Sequence, residues 1–203
     1  MINVTKALML TTRDAAAADE AALTKVAELI AAAVARREAI GLMGPLSAAE
    51  YREHLGVLTQ QAVAGDAGLG VVLDAHGEVL GTAQWTRSSY RTRRVLAELD
   101  RVCVAPTARG LGVGRMLVDL ITGDAAEHGI EVLGLEVRGN NHTAIALYEH
   151  CGFRRTGLIP NAVAVDADRF DIILMHRELA RPADVRLVGS QPIGAGSSTL
   201  RSS

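Results

Sequence analysis

Aromatic residues are nearly missing from this 203-residue chain, which has one Trp, three Tyr and two Phe. Cysteine is as rare. Cys103 and Cys151 show neither metal-ligand spacing nor the framework of a disulfide scaffold, and their apolar neighbours predict buried free thiols. Neither sign of charge prevails: 21 Lys and Arg against 23 Asp and Glu leave a net charge of −2, with a pI near 6.3. That balance gives no general attraction to nucleic acid or acidic membranes. No apolar run approaches a membrane span, and Met1 to Leu10 lacks the charged start and apolar stretch of an export leader. A reducing cytoplasm is the expected location, with neither nucleic acid nor membrane as partner.

What is present is aliphatic. Hydrophobic residues make up 49% of the chain, and at this length one domain can bury a core without staples. Its body is expected over 1–180, followed by a Gly- and Ser-rich tail over 181–203. Ala7 to Thr12 reads as a strand. Asp19 to about Ala39 reads as a helix, since Leu23, Val26, Ala27, Ile30 and Val34 recur at three and four. After the break at 41–45, Ser47-Ala48-Ala49-Glu50 has the capping-box pattern and opens a helix to about Ala64. Val71–Leu73 and Val79–Trp85 flank a hairpin turn. A strand over Val95–Val104, a helix over Gly112–His128, a strand over Glu131–Val137 and a helix over Thr143–Cys151 follow. Phe153–Leu158 and Phe170–His176 close the fold.

Two segments carry chemistry. In the strand Val95–Val104, Val95, Ala97 and Leu99 share one face, but Val102 and Val104 fall on the opposite phase. One extra residue near Asp100-Arg101, a β-bulge, would restore a common buried face. Such a bulge splays neighbouring strands and leaves backbone groups free to receive an extended ligand. The plainer alternative is a strand with both faces partly buried. Directly after it runs Arg109-Gly110-Leu111-Gly112-Val113-Gly114 and a long helix. Glycines that curl the chain, inward N–H groups and a helix N-terminus behind them suit a diphosphate. No Lys-Ser or Lys-Thr follows, which disfavours ATP or GTP, and the third glycine of a dinucleotide fingerprint is missing.

With Val104-Ala105-Pro106 before this loop, Arg115 after it, then Asn141, Tyr148 and Gly152-Phe153, the segment Glu98–Phe153 resembles the GNAT acetyltransferase superfamily. Leu135–Phe153 is especially similar to ribosomal-protein alanine N-acetyltransferases. The N-terminal part, with Ile40-Gly41-Leu42-Met43 and the Ser47 helix, looks more like tabtoxin-resistance acetyltransferases, which modify a free small molecule. The resemblance implies an α+β (mixed α/β) fold: a mostly antiparallel central sheet splayed at a β-bulge, with helices on both faces. It implies acetyl-CoA as co-substrate and no metal. By matched position, Val102 and Val104 would pair their backbones with the pantetheine arm. Arg109, Gly110, Leu111, Gly112, Val113 and Gly114 would wrap the pyrophosphate, with Arg115 opening the helix. Asn141 would hold the arm, and Tyr148 would stand beside the sulfur.

Transfer to an amine poses a proton problem. An amine of pKa near 10.4 is free base in about one molecule in a few thousand at pH 7, a cost of about 4–5 kcal/mol. Glu136, at the position of the base proposed for the alanine-acetylating relatives, and Glu98, beside the expected bulge, are the candidate bases; either could instead be a solvated strand carboxylate. A backbone N–H around Val102–Cys103 would meet the developing oxyanion. Tyr148 would protonate the departing thiolate, or else simply pack on the sheet. Cys103 has no neighbour that would lower its thiol pKa, so direct attack is expected.

On the acceptor side, Arg87, Arg91, Arg93 and Arg94 form either a solvated loop or an anion patch at the cleft mouth. Trp85 reads as core filler rather than substrate platform. Met43 and Leu46 could form a lid, and Asn161–Asp168 either borders the pocket or is a plain turn. The expected activity is N-acetyl transfer to a small-molecule amine. The alternatives are a protein N-terminus or lysine as acceptor, and a silent acyl-CoA-binding module. A homodimer stays open.

Overall fold

A computed structural model of the chain describes residues 4–10, 20–42, 44–183, 185 and 188. Within these, the strand order is β1-β2-β3-β4-β5-β7-β6 in one seven-stranded sheet. The strands are β1 (Val4–Met9), β2 (Ala67–Asp74), β3 (Val79–Arg87), β4 (Leu96–Val104), β5 (Val132–Arg138), β6 (Arg154–Val165) and β7 (Asp168–Glu178). Only β4 and β5 run parallel; every other neighbouring pair is antiparallel. The helices are α1 (Glu20–Ala35), α2 (Ala48–Val63), α3 (Val113–Glu127) and α4 (His142–His150).

The sheet separates two apolar clusters. On one face, Val113, Leu117 and Ile121 of α3 and Ile145 and Tyr148 of α4 pack with Ala97, Leu99, Leu133 and Leu135. On the other face, Leu23, Val26 and Ile30 of α1 and Tyr51, Leu55 and Leu58 of α2 pack with Leu69, Val71 and Cys103. The expected three-and-four spacing in α1 is what fills this second cluster. The capping box opens α2 as read: Ser47 Oγ accepts from Glu50 N at 3.2 Å, and Ser47 N donates to Glu50 Oε2 at 2.8 Å. The β2–β3 turn is tied by Asp74 Oδ1, which accepts from His76 N and Glu78 N at 2.8 and 2.9 Å.

Helix α1 stops earlier than its apolar spacing suggests. Glu38 N donates to Ala33 O at 3.1 Å and Arg37 N to Val34 O at 2.8 Å, the paired bonds of a Schellman ending. Its left-handed residue is Arg37, with φ 57°, where glycine is usual. Strand β6 runs on to Val165 because Val163–Val165 pair with Asp168–Phe170 of β7, so the segment read as a pocket border or turn is mostly strand. Of the first expected strand, Thr11 and Thr12 lie outside the described residues, as do the start of α1 at Asp19, Met43 and most of the tail from Arg181.

Candidate active site

The bulge is in β4. Thr82 faces Cys103 and Gln84 faces Asp100, so Ala83 stands opposite both Arg101 and Val102. Arg101 takes φ 53° there. The extra residue resets the phase as expected: Ala97 and Leu99, then Val102 and Val104, all pack toward α3 and α4, while Cys103 turns to the α1–α2 side. The parallel partner parts at the same place. Strands β4 and β5 are registered only at Leu96–Val132, Ala97–Leu133 and Glu98–Gly134.

A cavity of about 820 Å³ occupies the opening. Leu99–Val102 and Glu136–Arg138 form its strand walls, and Asn141, Ala144 and Tyr148 enclose one side. The last residues of α1, Val34 and Ala35, the chain after it, Arg37–Leu42 with Gly44 and Pro45, and the β6 tip, Ala162–Val165, enclose the other. Arg37 and Asp166 join those last two walls, Nη1 to Oδ2 at 2.9 Å. The non-glycine residues with left-handed φ among the described ones are Arg37, Arg101, Asn161 and Asp166. Two line the cavity, and the other two flank its β6 wall. Backbone strain of this kind costs about 1–3 kcal/mol per residue and gathers where surroundings demand it.

At one end of the opening lies the glycine-rich loop. Gly110 and Gly112 adopt φ of 78° and 80°, and Gly112 caps α3 without a side-chain acceptor. Met116 N is bonded back to Gly112 O at 3.1 Å. The amides of Gly110, Gly112, Val113, Gly114 and Arg115 have no protein acceptor among the described residues. Orphan donors at a helix start are what a diphosphate needs, so the chain present here fits that group. The arginine side chains do other work: Arg109 Nη2 donates to Glu38 Oε2 at 2.7 Å, and Arg115 Nε sits 3.6 Å from Asp119.

The candidate acid and bases lie on opposite faces and meet through the gap. Glu98 and Glu136 point away from the Leu133–Val137 core face, and Glu136 lines the cavity while Glu98 sits at the apex of the split, outside the lining. Glu98 is exposed, yet partial desolvation in the split, with Asp100 and Glu136 adding repulsion, pushes its carboxyl above its ordinary value. Tyr148 approaches from α4. It is buried, edge-on to Phe153 with centroids 5.9 Å apart. Burial, then Asp100 and Cys151, raise its pKa, so the hydroxyl keeps its proton. Asn141 caps α4 by accepting from Ala144 N at 3.2 Å, and the residue also borders the cavity. Burial pushes the Cys103 thiol up to about 11, the opposite of an activated nucleophile.

Several acceptor-side expectations are settled by geometry. The arginine hairpin does not reach the cavity. Arg87 donates to the carbonyls of Arg94, Gly65 and His128 and pairs with Asp66, which also holds Arg94, and Arg93 stacks on Tyr90. These side chains lock the turn rather than gather an anion. Trp85 is core, its Nε1 donating to Asp124 Oδ2 at 2.6 Å. Leu46 packs against the α1–α2 cluster. Apart from Glu136, the cavity's charged side chains are ones to which the sequence assigns no role at the site. Arg101 Nη1 donates to Asp100 Oδ1 at 2.8 Å and to Ile40 O at 3.2 Å. It fits because residue 41 is Gly: a Cβ there would come 2.6 Å from that nitrogen. Tyr51 reaches the same face from α2, its hydroxyl 3.3 Å from Gln84 Oε1.

Comparison with known proteins gives a consistent picture. The model of the acetyltransferase (GNAT) family matches residues 21–153. A [ribosomal protein bS18]-alanine N-acetyltransferase of Escherichia coli (strain K12) is 35% identical over 79 residues, covering 39% of this chain and 53% of that protein. The chain spans about half, or less, of the length of such curated relatives. Among solved structures, a GNAT superfamily phosphinothricin acetyltransferase from Sinorhizobium meliloti, in complex with AcCoA, superposes with a TM-score of 0.75 at 22% identity, over 92% of this chain and 95% of that one. A ribosomal-protein-alanine N-acetyltransferase from Brucella melitensis gives 0.70 at 23%, over 88% and 99%. At such identities the superpositions establish the fold.

Proposed function

The chain belongs to the acetyltransferase (GNAT) family, and from that premise we propose that it moves an acetyl group from acetyl-CoA to a primary amine of a small molecule by direct attack. The observation that carries this reading is the parting of β4 and β5 beyond Glu98–Gly134, with orphan amides at one end and a carboxylate-bearing cavity at the other. Acetyl-CoA supplies an activated thioester.

The residues then divide the labour. The free amides of Gly110, Gly112, Val113, Gly114 and Arg115 bind the diphosphate, within the loop that Arg109 and Leu111 complete. Backbone groups of Val102, Cys103 and Val104, unmatched by β5, receive the extended arm, and Asn141 steadies it. Glu136, which lines the cavity, draws the proton from the acceptor amine. Glu98 at the apex is the reserve candidate for that step. Tyr148, held protonated, donates toward the departing sulfur. We take residues 1–180 as the domain and 181–203 as its tail: Leu179 N bonds Glu131 O at the end of β7, and Arg181, at the start of the tail, still pairs with Glu131. Buried thiols at Cys103 and Cys151 suit a cytoplasmic setting.

A small acceptor is favoured by the Arg37–Asp166 bridge, which spans the cavity rim between the α1 end and the β6 tip. A protein N-terminus is the second reading, supported by the 35% identity to the bS18 alanine acetyltransferase. The test is thiol release from acetyl-CoA with panels of small amines and of peptides. Release with small amines alone supports the proposal, and release with peptides alone supports the second reading. Tight coenzyme A binding without release in any panel would make the protein a silent binding module.

A further inference from the structure

Glu38 directly follows Arg37, the left-handed residue of the turn that ends α1, and its backbone is fixed by the bond from its N to Ala33 O at 3.1 Å. Its carboxylate is split between two guanidinium groups: Oε1 takes Arg36 Nε at 2.7 Å, and Oε2 takes Arg109 Nη2 at 2.7 Å. Only 20% of its side chain is exposed. Arg36 belongs to the same turn, whereas Arg109 lies on the glycine-rich loop and reaches back, Nε to Val104 O at 3.4 Å, to the end of β4. Burial opposes the charge on Glu38, but the hydrogen bonds from Arg36 and Arg109 outweigh it and hold the carboxyl below its usual range. The same side chain lines the acceptor-side cavity. One carboxylate thus connects the wall after α1, the glycine loop and the bulged strand.

We propose that Glu38 is a positioning residue: through Arg109 it holds the glycine-rich loop in the shape that presents its free amides, and ties that loop to the acceptor wall. The effect on coenzyme A rests on the reading of the loop as the diphosphate site; the strut itself does not. Two positive charges against one negative leave the cluster net cationic, so the strut fixes the loop without repelling an incoming diphosphate. A loop shaped beforehand binds more tightly because less ordering remains to be done.

The experiment is calorimetric titration of coenzyme A into the full chain and into Glu38→Gln, Arg109→Gln and the double variant. A partly exposed charge-assisted pair predicts about fivefold weaker binding in Glu38→Gln, and no further loss when Glu38→Gln is added to Arg109→Gln. Unchanged affinity, or an equal loss in both backgrounds, would overturn the proposal. Tighter binding would overturn it too, since Glu38 would then be competing with the diphosphate for Arg109. Trypsin cleavage after Arg109 in ligand-free protein provides a readout that needs no coenzyme A: Glu38→Gln should be cut severalfold faster, and an equal rate would remove the strut. If the unaltered chain failed to bind coenzyme A, the diphosphate reading would fall while the proteolysis still judged the strut.

Discussion

Glu98 of β4 and Gly134 of β5 form the last registered pair before the two strands separate. The carboxylate therefore sits where the sheet stops covering its own backbone, and partial desolvation there, with two acidic neighbours, raises its pKa. Between the unfolded and folded pKa the native state binds the extra proton, so this group's contribution to stability falls as pH rises through that window. Glu98→Gln should accordingly unfold at higher temperature than the parent at pH 7, and the difference should close once the pH drops below the ordinary carboxylate range. Thermal scans across pH check it; a gain that persisted at low pH would assign the effect to something other than charge.

Tyr148→Phe should lower kcat about 100-fold, the lower end of what a positioned proton donor contributes, with the dissociation constant for coenzyme A unchanged. Because burial keeps the hydroxyl protonated, the parent's rate should show no alkaline fall assignable to Tyr148 below pH 10. Steady-state kinetics beside calorimetry separate the two effects, and equal turnover would remove the acid role.

Glu136→Gln should reduce kcat/KM about 100-fold near neutral pH. The deficit should narrow as pH approaches the acceptor's own pKa, where free amine no longer needs a base. If Glu98→Gln shows the larger and pH-dependent loss instead, the base is the residue at the apex.

Gly112→Ala tests the loop by conformation rather than bulk. Nothing lies within 4 Å of a Cβ placed there, but φ is 80°, which costs an L-residue about 1–2 kcal/mol. Coenzyme A binding should weaken about tenfold or more as the loop relaxes, by roughly that energy, while circular dichroism stays native. Retained affinity would move the diphosphate elsewhere.

Much of this architecture is written locally. The phase change between Leu99 and Val102 announces the bulge, because alternation has a strict period and one extra residue is its simplest repair. The Ser47 box and the glycine run are equally local. What could not be read is long-range or unpatterned. Helix α1 ends without a glycine or proline signal, since Arg37 takes the turn that glycine usually takes. β6 shows little burial alternation along its exposed length, so no period marks its extent. The pairs Arg37–Asp166 and Glu38–Arg109 join segments far apart in the chain, and only the folded arrangement selects them from the other charges. The sequence leaves the role of the arginines near Tyr90 open for the same reason: Arg87 and Arg94 meet carbonyls and Asp66, and Arg93 stacks on Tyr90, partners invisible as a motif.

Arginine at 37 and 101 has a consequence for anyone seeking heat-tolerant variants. Glycine at either position would ease the backbone by about 1 kcal/mol, so selection for robustness alone would reach these sites early. At each it would discard the guanidinium that shapes the chamber. Hardiness and turnover should therefore trade against each other at these codons, and a library scored on both would show it as mutually exclusive winners.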